Sequence, residues 1–295
     1  MKRFSILLAL AASSSLLSAQ DLIPAILIKD GIGDRVFIET ANKKTIRYRA
    51  TETTVNKTDV SAIGLSVFFF TPPEFENALA SYENRNYEQA LGQFAAVREK
   101  YKKVVTLKGN YSTLAGFYEI ECARKLGKYK DIETLFSKFK PEPLVLEAHK
   151  TQLKFNSLYN AVLEEDWERL NSLCNQWEER EIFGSLRAQL EYCRGLAQEG
   201  LGELKESLLS FNRALIADYG SSEVVVRNAA LSCFRVYEQL PEVVEARKLH
   251  GTPDESPNSP GAQLLTEASA LVGLWDSALS RGAELPAEYR EFSKY

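Results

Sequence analysis

A helix–turn–helix pattern recurs four times in the chain and restricts its fold more than any other feature. The four copies are YENRNYEQALGQF (82–94), RKLGKYKDIETLF (124–136), VLEEDWERLNSLC (162–174) and EGLGELKESLLSF (199–211). In each copy the fourth residue falls in the expected turn and the sixth is large and apolar, and the last residues lie 42, 38 and 37 positions apart. Repetition at this length predicts helical hairpins that stack, because one hairpin cannot bury its own apolar stripe.

The most regular copy, YCRGLAQEGLGELKESLLSFNRAL, resembles a unit of the tetratricopeptide repeat (TPR) family. Gly195 matches the small residue at which the two helices of a unit approach each other. Gly202 matches the turn, and Phe211 matches the aromatic residue of the second helix. The resemblance implies a right-handed α-solenoid of TPR-like helix hairpins over residues 72–250, with four to five helix pairs.

The N-terminal part follows a different period. Residues 26–70 alternate apolar and polar side chains and are rich in β-branched and aromatic types, which predicts strands. The expected strands are ILIK (26–29), RVFIET (35–40), TIRYRA (45–50), ETTV (52–55) and LSVFFF (65–70). Closure into a barrel would remove their unpaired edges. Residues 20–71 therefore resemble the small SH3-like barrels that precede helical repeats in some exported bacterial proteins.

The C-terminal part predicts a loop and a closing helix. Residues 251–262 hold three prolines and form the expected linker. In residues 263–295 an apolar stripe contains Leu264, Ala268, Leu271, Trp275 and Leu279. The predicted fold class is α+β and mainly α: a small N-terminal β-barrel, the solenoid and C-terminal capping helices.

The first 19 residues have the pattern of a secretory signal peptide. Lys2 and Arg3 precede an apolar run, and Leu17-Ser18-Ala19 has the small residues of a signal-peptide cleavage site. An uncleaved membrane anchor is the alternative, but the run is short for a bilayer span. No later segment is apolar enough to cross a membrane. The expected location is therefore the periplasm, the outer envelope or the exterior.

Charge argues against a nucleic-acid partner. Without Lys2 and Arg3, 34 basic residues face 40 acidic residues, which gives a net charge of about −6. The sequence contains no basic stripe of the kind that follows a phosphate backbone.

The cysteines leave two interpretations open. Cys122, Cys174, Cys193 and Cys233 lie in helical patterns among apolar neighbours. They suit buried small side chains, although an oxidising compartment also permits disulfides, with Cys174–Cys193 the first pair to test. Without a Cys-x-x-Cys pair, and with two histidines, a zinc site is not expected.

We find no set of residues that predicts catalysis. His149 and His250 have no recognisable nucleophilic partner, and no phosphate-binding glycine motif occurs. The acidic run at residues 164–168 falls in a predicted turn and lacks the ligand spacing of a calcium loop. No enzymatic activity, metal or cofactor is therefore expected.

The TPR resemblance implies that the first helix of each unit lines a concave groove. Carried over, it gives nine candidate partner-binding residues: Phe75, Leu79, Phe117, Glu121, Arg124, Phe155, Tyr159, Tyr192 and Leu196. The four aromatic residues at one repeat position would form a ladder suited to a peptide. The alternative is that they pack in the core, since one helix turn presents both faces.

These observations predict a non-enzymatic scaffold or adaptor that binds a protein or peptide partner of the cell envelope. The alternative is a protein that binds or processes cell-wall glycan through Tyr, Trp and carboxylate side chains. A closed pocket with two facing carboxylates would favour that alternative. Self-association through the ends of the solenoid is a third possibility.

Overall fold

The first two N-terminal strands contain alternating buried and half-buried residues, as their period-two pattern predicts. The computed structural model describes residues 22–218 and 223–295. Its strands are β1 (Ile23–Lys29), β2 (Ile32–Ala41), β3 (Thr45–Arg49), β4 (Thr58–Ser61) and β5 (Ser66–Phe69). They pair antiparallel in the order β4-β3-β2-β1-β5. The edges are β4 and β5, which do not pair with each other in this order, so the sheet is open. The predicted signal peptide lies outside the described residues.

The prediction of a strand at residues 52–55 is wrong, and the fourth strand forms at β4 instead. The threonines of residues 51–55 bond to one another, with the Thr54 N–H donating to Thr51 Oγ1 at 3.1 Å. Arg47 of β3 holds β4 in register through two hydrogen bonds to Asp59, at 2.8 and 2.9 Å. The fourth strand is therefore defined by its backbone pairing with β3, and the cross-strand Arg47–Asp59 pair fits that register.

Helices make up most of the remaining chain, and the α+β, mainly helical class is as predicted. They are α1 (Pro73–Glu83), α2 (Tyr87–Lys100), α3 (Tyr111–Lys125), α4 (Tyr129–Ser137), α5 (Glu147–Leu163), α6 (Trp167–Glu178), α7 (Gly184–Gly200), α8 (Leu204–Ala217), α9 (Glu223–Gln239) and α10 (Pro241–Leu249). A short 3₁₀ turn, Lys102–Val104, follows α2. Pro241 occupies the first turn of α10, where its missing N–H has no intrahelical partner to lose.

The same turn joins the two helices of the first four pairs. One residue in each turn is left-handed, with φ between +54° and +82°. These residues are Arg85, Gly127, Glu165 and Gly202. The next residue donates its N–H to the carbonyl five positions earlier, as Asn86 does to Ser81 at 2.9 Å. This is the Schellman arrangement, and it falls at the aligned fourth position of every sequence copy.

The aligned copies differ in how tightly their helices pack. At Gly195 of α7, a Cβ atom would lie 2.5 Å from ring atoms of Phe211 of α8, so the two helices meet as the small residue predicts. Phe136, the aligned aromatic of the second copy, is 40% exposed. The second pair therefore lacks the buried aromatic that Phe211 supplies in the fourth.

A closing segment covers α9 and α10. It comprises α11 (Pro260–Leu274), a π-helical turn (Trp275–Leu279), α12 (Ala287–Arg290) and a 3₁₀ turn (Glu291–Lys294). Its helix begins three residues before the predicted position 263, because the Ser259 hydroxyl accepts from the Ala262 N–H at 3.2 Å. The predicted apolar stripe of this segment packs into a core shared with α8 and α9.

Two packing features tie distant parts of the chain together. The inner face of the sheet shares one core with α1, α2 and α3. Glu223, at the start of α9, forms ion pairs with Arg85 in the first turn and with Arg281 after the π-helical turn. The first hairpin, α9 and the closing segment therefore meet at one point.

Candidate functional site

The predicted aromatic ladder lies in the interior. Its members come from α1, α3, α5 and α7, and their exposed fractions are 4% for Phe75, 4% for Phe117, 0% for Phe155 and 7% for Tyr192. Phe155 packs against Trp177 with ring centroids 4.2 Å apart, and Phe75 packs against Phe94 at 5.5 Å. A side chain with so little free surface has almost nothing to offer a partner in this conformation. The burial therefore favours the packing alternative for these four residues.

The second predicted row is mostly buried as well. Glu121 and Tyr159 are 5% and 1% exposed, whereas Leu79 and Leu196 are half-buried. Arg124, 4% exposed, lies one helical turn from Glu121 and donates two hydrogen bonds to its carboxylate, at 3.0 and 2.6 Å. The structure thus brings two predicted residues together as a buried ion pair.

Burial and the ion pair control the ionisation of this inner region. Burial acts to lower the pKa of Arg124, but the charge and hydrogen bonds of Glu121 outweigh it and raise that pKa. Burial raises the pKa of Tyr129 to about 12 and that of Tyr159 well above its usual range. Lys125 has its pKa lowered to about 8, by burial first and by the charge of Arg124 second. This inner region therefore holds the Glu121–Arg124 ion pair among tyrosines that stay neutral.

A hydrogen-bond network completes this buried region of α3, α4, α5 and α7, which we call the inner row. The Tyr159 hydroxyl donates to Gln189 Oε1 at 3.0 Å, and Gln189 exchanges two hydrogen bonds with Gln152. His149 stacks on Phe117 with centroids 4.2 Å apart, and burial lowers its pKa. Tyr159 and Phe117, which the TPR resemblance assigned to peptide binding, therefore have partners inside the protein.

An accessible groove lies elsewhere, between α8 and α11 with α9 beneath, and it contains an open cavity of about 520 Å³. On the α8 wall Leu209 and Ile216 are 52% and 81% exposed, two helical turns apart. The α11 wall contributes Ala270 and Leu274. Sequence reasoning missed this groove, although large apolar residues two turns apart on α8 were a visible signal.

Charged and polar groups lie at defined points of the groove. Arg213 is exposed between Leu209 and Ile216 and pairs with no carboxylate in the part of the chain that the structure describes. Glu267 on the opposite wall accepts a hydrogen bond from Tyr237, the α9 residue of the floor, at 3.4 Å. The groove combines apolar walls with one cation and one anion on opposite sides.

A second cavity, of about 330 Å³, lies between α10, α11 and the C-terminal residue, and Glu242, Glu245, Glu255 and His250 line it. The Gly251 N–H and His250 lower the pKa of Glu255, and Lys205 lowers that of Glu242. A glycosidase acid needs a raised pKa, so these carboxylates are poorly suited to the glycan-processing alternative. The pairing of His250 Nδ1 with Glu255, at 2.8 Å, was not foreseen from the sequence.

The cysteines lie in the interior as small buried side chains, and the acidic run at residues 164–168 lies at a helix turn. All four thiols are free and buried, and burial raises the pKa of Cys122 and of Cys174 to about 12. Within residues 22–218 and 223–295, no group of three His, Cys, Asp or Glu side chains could hold a metal ion. Asp166, from the acidic run, accepts a hydrogen bond from the Arg169 N–H and caps α6.

Comparisons with known proteins find no protein-family model, no curated protein and no solved structure that matches this chain. Each helix in the described ranges is too short or too polar to cross a bilayer. An inference of function therefore depends on the geometry described above.

Proposed function

We propose that the chain is a non-enzymatic interaction scaffold of the bacterial envelope that binds a helix of a partner protein in the groove between α8 and α11. The observation that carries this proposal is the exposure of Leu209 and Ile216 beside an apolar cavity. A hydrophobic groove is a common receptor for the apolar face of an amphipathic helix.

The charges of the groove restrict the partner. Arg213 on one wall and Glu267 on the other favour a helix with an acidic residue facing α8 and a basic residue facing α11. The apolar positions between them would follow i, i+3 or i+4, and i+7 spacing. A helix with the two charges exchanged would bring like charges together, so the groove also selects an orientation.

A TPR-like solenoid is the architecture that we propose for this scaffold. Its support is the repeated Schellman turn of the first four pairs and the close approach of α7 and α8 at Gly195. In such an array each pair packs on its neighbours and the closing segment caps the last pair, and in this chain the ion pairs of Glu223 also join the first turn to α9. The groove would then lie at the C-terminal end of the array.

A small SH3-like barrel is the corresponding proposal for the sheet. Four strand spacings of about 4.8 Å separate the edges of a flat five-stranded sheet, roughly 19 Å in all. The chain passes from Ser61 at the end of β4 to Ser66 at the start of β5, a step of five residues. Five residues reach about 17 Å when fully extended, so the sheet must curl. Export to the envelope is proposed from residues 1–19 alone.

In-cell photo-crosslinking tests the groove. We would place p-benzoyl-phenylalanine at Leu209 or at Ile216 and irradiate the producing cells. The matched control is Phe183, which is 78% exposed and lies outside the groove. We expect both groove positions to form the same protein adduct and the control position to form none.

A charge-reversal variant tests whether the adduct depends on the groove. Adding Arg213→Glu to the Ile216 crosslinker should remove the adduct, because the charge that selects the partner is reversed. Val244, 37% exposed on α10, supplies the control Val244→Asp, which should leave the adduct intact. Adducts of equal yield at Phe183 and Ile216, or no adduct at either groove position, would rule out the groove.

A further inference from the structure

The outer face of the sheet presents a patch of aromatic and aliphatic side chains. Strand register places Ile26 of β1 between Arg35 of β2 and Phe68 of β5. In the neighbouring row Pro24 lies opposite Phe37, and Phe70 follows two residues after Phe68 on the same face. Phe68 and Phe70 are 55% and 38% exposed, and their rings meet edge to face at 5.9 Å.

One guanidinium group lies over this patch. The Arg35 Cζ atom is 5.5 Å from the ring centre of Phe70 and 5.9 Å from that of Phe37, so both rings orient it. Arg35 is exposed and pairs with no carboxylate among the residues that the structure describes. The two rings pack against the Arg35 guanidinium, and its N–H donors remain available for a carboxylate of a partner molecule.

The other arginines of the same sheet are already neutralised. Arg47 pairs with Asp59 at 2.8 Å, and Arg49 pairs with Glu39, which also binds Lys57 at 2.9 Å. Arg35 is therefore distinguished by its free donors as well as by its aromatic support. Residues 22–70 contain seven basic and five acidic side chains, whereas the whole chain has a net charge of −4. This local excess of positive charge complements an anionic partner.

We infer that this face binds an acidic linear segment of a partner protein, with a carboxylate on Arg35 and an apolar side chain over Ile26 and Phe68. A peptide suits the face better than an acidic glycan does. Three phenylalanines, an isoleucine and a proline offer no hydrogen-bonding groups for sugar hydroxyls, but they bury the apolar side chains of a peptide well. The inference does not depend on the helix groove, since the two surfaces share no residue.

Selection from random 12-residue peptides displayed on phage, with the purified full chain as bait, provides the test. We expect enriched sequences to combine Asp or Glu with aromatic or aliphatic residues. A synthetic enriched peptide, followed by fluorescence anisotropy, should bind at least tenfold more weakly to Arg35→Glu. Arg35→Lys should show a smaller loss, because lysine keeps the charge but not the planar donor set.

Matched controls separate this site from general electrostatics and from the groove. Lys44→Glu makes the same charge change in an exposed turn of the sheet and should alter the affinity less than twofold. The double variant Leu209→Asp and Ile216→Asp should bind the peptide as the parent chain does. If Arg35→Glu does not fold, a benzophenone derivative of the peptide must still crosslink to β1, β2 or β5 of the parent chain.

Three outcomes would overturn the inference. The first is that the enriched peptides lack acidic residues in every selection. The second is that Arg35→Glu and Lys44→Glu weaken binding equally, which would reduce the effect to net charge. The third is that polygalacturonate, an acidic glycan, displaces the peptide and that Arg35→Glu no longer binds it. That result would assign the face to a glycan.

Discussion

The inner row of helices and the groove between α8 and α11 use the same kinds of side chain for opposite purposes. In the inner row, large apolar residues surround Glu121 and Arg124, which bond to each other and are both about nine-tenths or more buried. In the groove, Leu209 and Ile216 stand exposed, and Arg213 has no carboxylate partner in the described part of the chain. Composition does not separate the two regions, whereas burial and pairing do.

The difference shows where the molecule could form new contacts. In a buried ion pair with matched hydrogen bonds, the donors and acceptors already bond to each other inside the protein. An exposed arginine beside apolar side chains retains both its charge and its donors. We therefore assign stability to the inner row and recognition to the groove, and this assignment makes quantitative predictions for each region.

The largest expected effect follows from breaking the buried pair. Arg124→Met leaves the Glu121 carboxylate uncompensated in the interior, which should lower the free energy of unfolding by about 3–5 kcal/mol. Urea denaturation followed by circular dichroism measures the change. The matched control Arg213→Met removes an exposed arginine of the groove and should change stability by less than about 0.5 kcal/mol.

A double variant distinguishes lost pairing from lost packing. Glu121→Gln combined with Arg124→Met removes both charges, so it should recover part of the stability that Arg124→Met loses. If Arg124→Met and Arg213→Met cost the same, the inner pair is solvated and the comparison fails.

Local features of the fold could be predicted from the sequence because local interactions decide them. The turns at Arg85 and Glu165 were located at the aligned fourth position of their copies, where each hairpin closes with hydrogen bonds inside one segment. Pro241 likewise occupies the first turn of α10, a position that local backbone chemistry makes suitable for proline. By contrast, the strand predicted at residues 52–55 was misplaced because strand formation depends on pairing with a partner strand, and β3 pairs with residues 58–61 instead.

The site was less predictable because accessibility is a property of the assembled chain. Phe155 and Leu209 are both large apolar residues at helical spacing, yet one is fully buried and the other is half exposed. The groove requires α8 and α11, which are far apart in sequence and flank α9 only after folding. A single sequence contains the stripes but does not specify which of them another helix covers.

An intermediate effect is expected from filling the contact between α7 and α8. Gly195→Ala places a Cβ atom 2.5 Å from the Phe211 ring, so the helices must separate or the ring must move. Such overpacking should cost about 1–3 kcal/mol, measured by urea denaturation. Gly273→Ala on α11, where no atom lies within 4 Å of the new Cβ, should be neutral or stabilise by up to about 1 kcal/mol. A neutral Gly195→Ala would show that the inner helices are loosely packed.

The smallest effect concerns Lys125 of the inner row and depends on pH. Its folded pKa of about 8 is below the unfolded value, so between about pH 8 and pH 10 the unfolded chain holds the proton that the folded chain has lost. Stability from this group therefore rises with pH in that window and is lowest below pH 8, where the partly buried ammonium is charged. Relative to Lys125→Met, the parent chain should gain on the order of 1 kcal/mol between pH 7.5 and pH 9.5, after allowance for solvent screening.

The quantity to measure is the difference in the free energy of unfolding between the parent chain and Lys125→Met. The buried thiols and tyrosines titrate in both proteins, so their contributions cancel in this difference. Urea denaturation at three pH values supplies it. A groove variant such as Arg213→Met should show no comparable dependence, since an exposed arginine stays charged throughout the range. A constant difference between the parent chain and Lys125→Met would mean that water reaches the inner row, and the division between a dry interior and an open groove would then be wrong.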